Sequence, residues 1–321
     1  MVGTRQAWSS RDRFEGVREN LDVVNALANF RGTLRELTIS EFTLTHLPPG
    51  PVYSNVIYLS LKGIVNSLLS ILIPALPNVK TLHVDLLVLD EGDPAIRGNN
   101  IQYQVEQPAQ CWQLSSLVAD VHSLWTLSLR RGVPEVKVHN FSLKRDFEYL
   151  EPSLVHLRPL QLTFENDREP IFGDNWLSKT ITDDWKELAR LDFEYIFPAV
   201  PNKCDEHLDK LYTQLALVST SQPNLCVLNI CLSPDYREAQ STGFSATCYH
   251  LAGLDIYAVA SEIARAIPSL ALLQLKNVAH KFHWIRQEDG LAPLSPSLTQ
   301  PDFECLSEGL LAPLRNGEFK K

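Results

Sequence analysis

Eight times along the chain an apolar residue is followed by a second three positions on and a third two positions after that. The copies are Leu34/Leu37/Ile39, Val56/Leu59/Leu61, Val79/Leu82/Val84, Leu124/Leu127/Leu129, Leu157/Leu160/Leu162, Leu188/Leu191/Phe193, Leu225/Leu228/Ile230 and Leu270/Leu273/Leu275. The last two places lie two residues apart. That is the strand period, so both side chains point to one face. The first place lies where the chain turns into the strand. LPNVKTLHV (76–84), QPNLCVLNI (222–230) and IPSLALLQL (267–275) put Pro-Asn or Pro-Ser directly before it. Such a pair suits a turn that also stops a helix.

Between copies the apolar period becomes helical. Val17, Leu21, Val24 and Ala28 step by four, three and four, as do Ile64, Leu68, Ile71 and Ala75. Leu208, Leu211, Leu215 and Val218 share one helical face, and so do Ile256, Val259, Ile263 and Ile267. Asp205 and Glu206 open one of these helices and Asp255 another, where negative charge suits the helix dipole. The unit is therefore helix, tight turn, short strand. One unit cannot bury its apolar face alone, whereas stacked units can. The expected fold is α/β: an irregular leucine-rich-repeat-like solenoid, with a parallel sheet on the concave face and helices on the convex face.

The first two steps between copies, 22 and 23 residues, match the known repeat range. The next, from 79 to 124, is 45 and leaves room for a degraded copy near Ile101. Later steps of 31 to 45 imply inserted loops. The competing fold is a doubly wound α/β domain, which usually carries a glycine-rich phosphate loop. The chain shows no such loop.

The repeat region is expected to fill residues 1–290, with a helix at about 12–30 as its N-terminal cap. Residues 291–321 are read as a proline-containing linker and C-terminal tail. Loops are expected at 89–100 (LDEGDPAIRGNN), 233–243 (SPDYREAQSTG) and 287–302, the last leading to a short helix at 303–314.

Composition narrows the function classes. The 29 Lys and Arg against 38 Asp and Glu leave a net charge of −9, which gives no electrostatic footprint for nucleic acid or an anionic membrane. The N-terminal MVGTRQAWSSRDRFEG lacks the apolar core of an export signal. The most apolar stretch, 64–76, is too short to span a bilayer and contains Asn66, Ser67, Ser70 and Pro74. Six cysteines show no CxxC pair, so free buried thiols in an intracellular (cytoplasmic or nuclear), reducing compartment are expected. The sequon at Asn140 is then a chance match.

The uneven repeats, the LPNVKTLHV strand entrance and the late LALLQLKN…HWIRQ segment resemble the leucine-rich-repeat regions of fungal, mushroom-type F-box proteins. The resemblance covers roughly residues 20–290. It implies a recognition module, related to the substrate-holding part of cullin–RING ubiquitin ligases. A ligase adaptor would be a partner if an F-box lies upstream; residues 1–33 show no Leu-Pro-x-Glu-type opening of one.

In such a repeat the residues flanking the two inward strand positions face the concave surface. Those expected to meet a protein partner are Glu36, Thr38, Tyr58, Lys62, His83, Asp85, Arg130, Gln161, Arg190, Asp192, Glu194, Asn229, Gln274 and Lys276. Ser40, Ser60, Thr81, Thr126, Ser128, Thr163 and Cys231 complete the set. Tyr58, Arg130 and Arg190 are the expected anchors, because aromatic residues and arginine dominate binding hot spots. No asparagine recurs at the third place after the strand, so irregular coils are expected.

No catalytic, cofactor or metal site is expected. His280 and His283 lack completing ligands and read as loop histidines. Trp284-Ile285-Arg286 reads as a cap on the last repeat. Gly243-Phe244-Ser245-Ala246-Thr247 lacks the second glycine of a nucleophile elbow. The function expected is non-catalytic protein recognition. The alternative is an α/β enzyme, hydrolase-like, with a site in the loops at one strand edge.

Overall fold

The computed structural model describes residues 28–40, 52–63, 69–85, 94–141, 143–166, 177, 180–181, 187–278, 280–287, 290–294 and 300–315. The expected N-terminal helix lies outside them, except for a 3-10 turn at Ala28–Phe30.

The strand-period triplets become one 11-stranded sheet whose spatial order is the chain order, without a reversal. The strands are β1 (Glu36–Ser40), β2 (Tyr58–Lys62), β3 (Thr81–Asp85), β4 (Ser116–Asp120), β5 (Glu135–Phe141) and β6 (Gln161–Asn166). They continue as β7 (Arg190–Phe197), β8 (Val227–Pro234), β9 (Leu272–Lys276), β10 (Lys281–Gln287) and β11 (Gly290–Pro293). Pairing is parallel from β1 to β9 and antiparallel for β10 and β11. The sheet is open.

Register explains why leucine recurs. Leu37, Leu59, Leu82, Leu117, Val136, Leu162, Leu191, Leu228 and Leu273 stand opposite one another in one row across β1–β9. Ile39, Leu61, Val84, Ala119, Val138, Phe164, Phe193, Ile230 and Leu275 form the second row. All are buried in one continuous core. Each fully buried Leu or Val is worth roughly 1.5–3 kcal/mol, so the rows act only when stacked.

Helices close this core: α1 (Leu69–Ala75), α2 (Pro94–Glu106), α3 (Val121–Leu127), α4 (Leu143–Leu154), α5 (Cys204–Ser221), α6 (Thr242–Ala252) and α7 (Ile256–Ala266). Leu69, Leu72 and Ile73 of α1, Leu124 and Leu127 of α3, Leu150 and Leu154 of α4 and Leu208, Leu211, Leu215 and Val218 of α5 join it. Leu251 of α6 and Ile256, Val259 and Ile263 of α7 complete the layer. Asp205 and Glu206 occupy the first turn of α5, and the Asp255 carboxylate caps α7 by accepting from Tyr257 N and Ala258 N. Trp284 of β10 is buried against the same core opposite Leu273, closing its end.

A repeated joint sets the step from strand to strand. The Arg35 carbonyl accepts from Ile57 N and Tyr58 N, and the Ile57 carbonyl from Lys80 N and Thr81 N. The carbonyls of Lys80, Pro134, Leu160, Ala189 and Cys226 each take two consecutive N–H groups in the same way. Side chains reinforce the joint. Asn55 Nδ2 donates to Gly32 O at 2.7 Å, Asn78 Nδ2 to Ser54 O at 2.8 Å and Ser269 Oγ to Leu225 O at 2.6 Å. At Pro77-Asn78 and Pro268-Ser269 the pair therefore does two jobs: it ends the helix and ties the turn to the one before.

Several expectations need correction. Leu124/Leu127/Leu129 is not a strand entrance, because Leu124 and Leu127 belong to α3. Leu114/Leu117/Ala119 supplies β4, and Val133/Val136/Val138 supplies β5. Pro159/Leu162/Phe164 sets β6, two residues past the Leu157 reading. Steps of 45, 33 and 31 thereby become 35, 19, 26 and 29. Ile101 is helical, and part of the expected 89–100 loop is α2.

The polar look of α2 has a physical cause. Its buried Asn100 accepts from Leu69 N at 2.8 Å and donates to Thr126 O at 3.0 Å. Gln104 donates to Ser128 O at 3.1 Å and accepts from Arg130 N at 2.9 Å. Two amides thus satisfy the start of α1 and the end of α3.

The expected 287–302 linker holds β11, and α8 (Gln300–Arg315) begins before 303. The 233–243 stretch holds the end of β8, a 3-10 turn at Tyr236–Glu238 and the start of α6. Gly243 is a packing residue: a Cβ there would lie 1.9 Å from the Ala199 carbonyl oxygen.

Candidate functional site: the outer face of the sheet

Residues alternating with the leucine rows line the opposite, outer face. Its middle row runs Thr38, Ser60, His83, Val118, Lys137, Thr163, Asp192, Asn229, Gln274 and His283. Glu36, Tyr58, Gln161 and Arg190 lie in one flanking row, Lys62, Asp85, Glu194 and Lys276 in the other. Thirteen of the fourteen expected partner residues thus sit on this face. Arg130 does not. It follows α3 in the turn to β5; Thr126 lies within α3 and Ser128 is its C-cap, so they leave this face as well.

The face has two halves. Over β1–β5, Glu36, Thr38, Lys62 and Glu135 are exposed, and Tyr58, His83, Asp85, Val118, Lys137 and His139 are half-buried. Lys62 stands opposite Asp85 in register. The His83 and His139 rings meet edge to face, with centroids 5.6 Å apart. Partial burial, then His139 and Lys62, push the His83 imidazole below the ordinary histidine range, with Asp85 opposing. Lys137 pairs with Glu165 at 2.6 Å, an exposed bridge of small energetic weight.

Over β6–β9 the chain covers the flanking row that holds Arg190 with α8, while Glu194 and Asn229 stay half-buried and Lys276 exposed. Leu311 is fully buried among Leu160, Ala189, Val227 and Leu272. Arg190, an expected exposed anchor, is instead buried. Its guanidinium donates to both Asp192 oxygens at 2.7–3.0 Å and to Glu304 at 2.6 Å, and it reaches the Ser307 hydroxyl at 3.1 Å. Glu304 and Asp192 outweigh burial and hold Arg190 protonated, while burial pushes Asp192 upward against the pull of Arg190. Gln274 is buried too, donating to Asn229 Oδ1 at 2.8 Å and meeting His283 Nε2 at 3.2 Å. The sequence signal for this cover was Val227 and Leu272, apolar residues at outer-face positions.

Chemical machinery is sparse. Among the described residues no group of three or more His, Cys, Asp and Glu could hold a metal ion. His283 lies in β10 rather than a loop. The six cysteines are free; Cys111 and Cys204 are buried, while Cys305 is exposed rather than buried. No helix among the described residues is long and apolar enough to cross a membrane. A groove of about 700 Å³ at the strand entrances is lined by Gly32, Thr33, Arg35, Ser54, Asn55, Ile57, Asn78 and Lys80, without a carboxylate, imidazole or thiol.

Fold and face together define the class: an α/β protein with an open, mostly parallel sheet in strict chain order, polar on its outer side. None of the family models, curated proteins or solved structures compared with the chain matches it.

Proposed function

We propose that this chain is a non-catalytic protein-recognition module, an irregular leucine-rich-repeat solenoid whose partner docks across the outer face of β1–β5. The observation that carries this reading is the aligned rows of polar side chains there, exposed or half-buried, beside strands on which α8 already covers the Arg190 row. Tyr58 offers the aromatic anchor chemistry of protein interfaces, with His83, Lys137 and His139 as polar surroundings.

Two observations weigh against the enzyme alternative. The strand order never reverses, so the described sheet has no switch-point crevice of the kind that holds substrates in doubly wound folds. The groove at the strand entrances lacks an acid–base pair. Resemblance to F-box repeat regions makes a ubiquitin-ligase target the partner class to test first.

The test is site-specific photo-cross-linking in the native host, with the probe at His83 or Lys137 and a control at Tyr249, 80% exposed on α6. Cross-links to one protein from the first two positions only are expected. Cross-links from Tyr249 with none from His83 or Lys137 would move the site off the sheet.

A further inference from the structure

Arg130 left the sheet, and its new surroundings carry chemistry that the outer face does not use. Two turns meet beside α2. Residues 128–134 (SLRRGVP) join α3 to β5, and residues 155–160 (VHLRPL) join α4 to β6. Val133 N donates to Leu157 O at 2.8 Å and clamps the turns side by side. Together they hold three arginines and a histidine and no carboxylate, in a chain of net charge −9.

The arginines differ in what they do. Arg131 is used internally, donating to the Pro108 carbonyl and, at 3.2 Å, to that of Cys111. Arg97 reaches in from α2, lying over the Trp125 ring at 4.7 Å and donating to Ser128 Oγ at 3.4 Å. Arg130 and Arg158 are exposed, and among the described residues neither guanidinium has a hydrogen-bond or ion-pair partner. Partial burial, then Arg130, Arg158 and Arg97, push the His156 imidazole below its ordinary range; among the described residues no carboxylate acts on it. Among the described residues, Ser128 (the C-cap of α3) and Arg158 are the two non-glycine residues with left-handed backbone, at φ 44° and 41°, one in each turn. At Ser128 this is the ordinary end of a helix; at Arg158, outside any helix end, such strain persists where its surroundings enforce it, and it concentrates at ligand clamps.

The geometry points to an oxyanion site in which Arg130 and Arg158 grip a phosphate monoester, carried on a peptide side chain or free in solution, with Arg97 and His156 at its margin. A carboxylate is satisfied by one guanidinium fork. A phosphoryl dianion has oxygens enough for two forks and charge enough to offset both. This site is independent of the outer-face reading.

The test is calorimetric titration of the full chain with inorganic phosphate and with a phosphoserine peptide, beside the same peptide carrying Ser or Glu. The variants are Arg130→Gln and Arg158→Gly, singly and together. Glycine suits the left-handed φ at 158, so that variant keeps the turn, and melting temperature checks the fold. The double variant is expected to weaken phosphate and phosphopeptide binding by about tenfold or more. Arg265→Gln, whose arginine is exposed and paired with Glu262, is expected to leave both unchanged. A phosphopeptide that binds more tightly than phosphate marks a protein-borne ligand; equal affinities mark the free ion. Unchanged affinity in the double variant, or a Glu peptide binding as well as the phosphoserine peptide, would overturn the proposal.

Discussion

Arg190 turns an outer-face position into part of the fold. Its side chain is 9% exposed and that of Asp192 13%, while Glu304 keeps 40% of its surface and is screened by water. Removing the cation strands a buried carboxylate. Arg190→Ala should therefore cost about 3–5 kcal/mol in denaturant unfolding. The paired change Arg190→Met with Asp192→Leu should recover much of that loss, since apolar replacement of both partners avoids the stranded charge. If Arg190→Ala unfolds like the parent, the latch is ornamental. The histidines make a second residue-scale case. His83, His156, His207 and His283 all lie below the ordinary value of 6.5, with burial the first cause in each. The unfolded chain then binds more protons than the folded one in the window running down from 6.5, so stability falls as pH drops through it. Melting temperature should decrease from pH 7.5 to 5.5, and His283→Gln should flatten that slope. A melting temperature that rises on acidification would contradict the assignment.

At the scale of elements, the helix at 303–314 was legible as α8, but its seat on the outer face was not. It reaches Arg190 from 114 residues away in sequence, through an ion pair that no periodicity announces. Cys226 reports on its seat. The thiol packs against the cluster that holds Leu311, and burial pushes its pKa to about 11. Leu311→Asp should speed labelling of Cys226 by a thiol reagent while exposed Cys305 reacts as before, because thiolate and access both limit the rate. Equal Cys226 rates in parent and variant would mean that α8 does not seal that half. Gly243→Ala should cost about 1–3 kcal/mol by thermal or denaturant unfolding, because the added Cβ meets a backbone carbonyl that has no rotamer to yield. A neutral change there would argue against the close approach. Much of this layer was nonetheless legible. The six correctly placed triplets share one feature, a strand entered through a turn. Leu124 and Leu127 misled because a three-residue spacing is also helical, and Asp120 caps α3 directly at the strand's end. Val133/Val136/Val138 is masked in the sequence by its closeness to the helical Leu124/Leu127/Leu129 triplet, which ends four residues before it. The β6 reading slipped by two residues, which keeps side-chain parity, so Gln161 and Thr163 still fell on the outer face. The Asn55 and Asn78 ladder stands before the strand, not at the third place after it where ladder-forming repeats carry asparagine.

For the whole molecule, the governing fact is that nine parallel strands neighbour each other in the order they are written. That order keeps rows of equivalent positions aligned from strand to strand. Spin-label distances measured by pulsed electron resonance in the full chain test it most directly. One label replaces Thr38 on β1; its partner replaces Lys137 on β5 or Lys276 on β9, all on the outer face. At about 4.8 Å per strand, the account predicts roughly 19 Å for the first pair and up to roughly 38 Å for the second, less whatever curvature removes. A label at Lys276 lying nearer to Thr38 than one at Lys137 would contradict it.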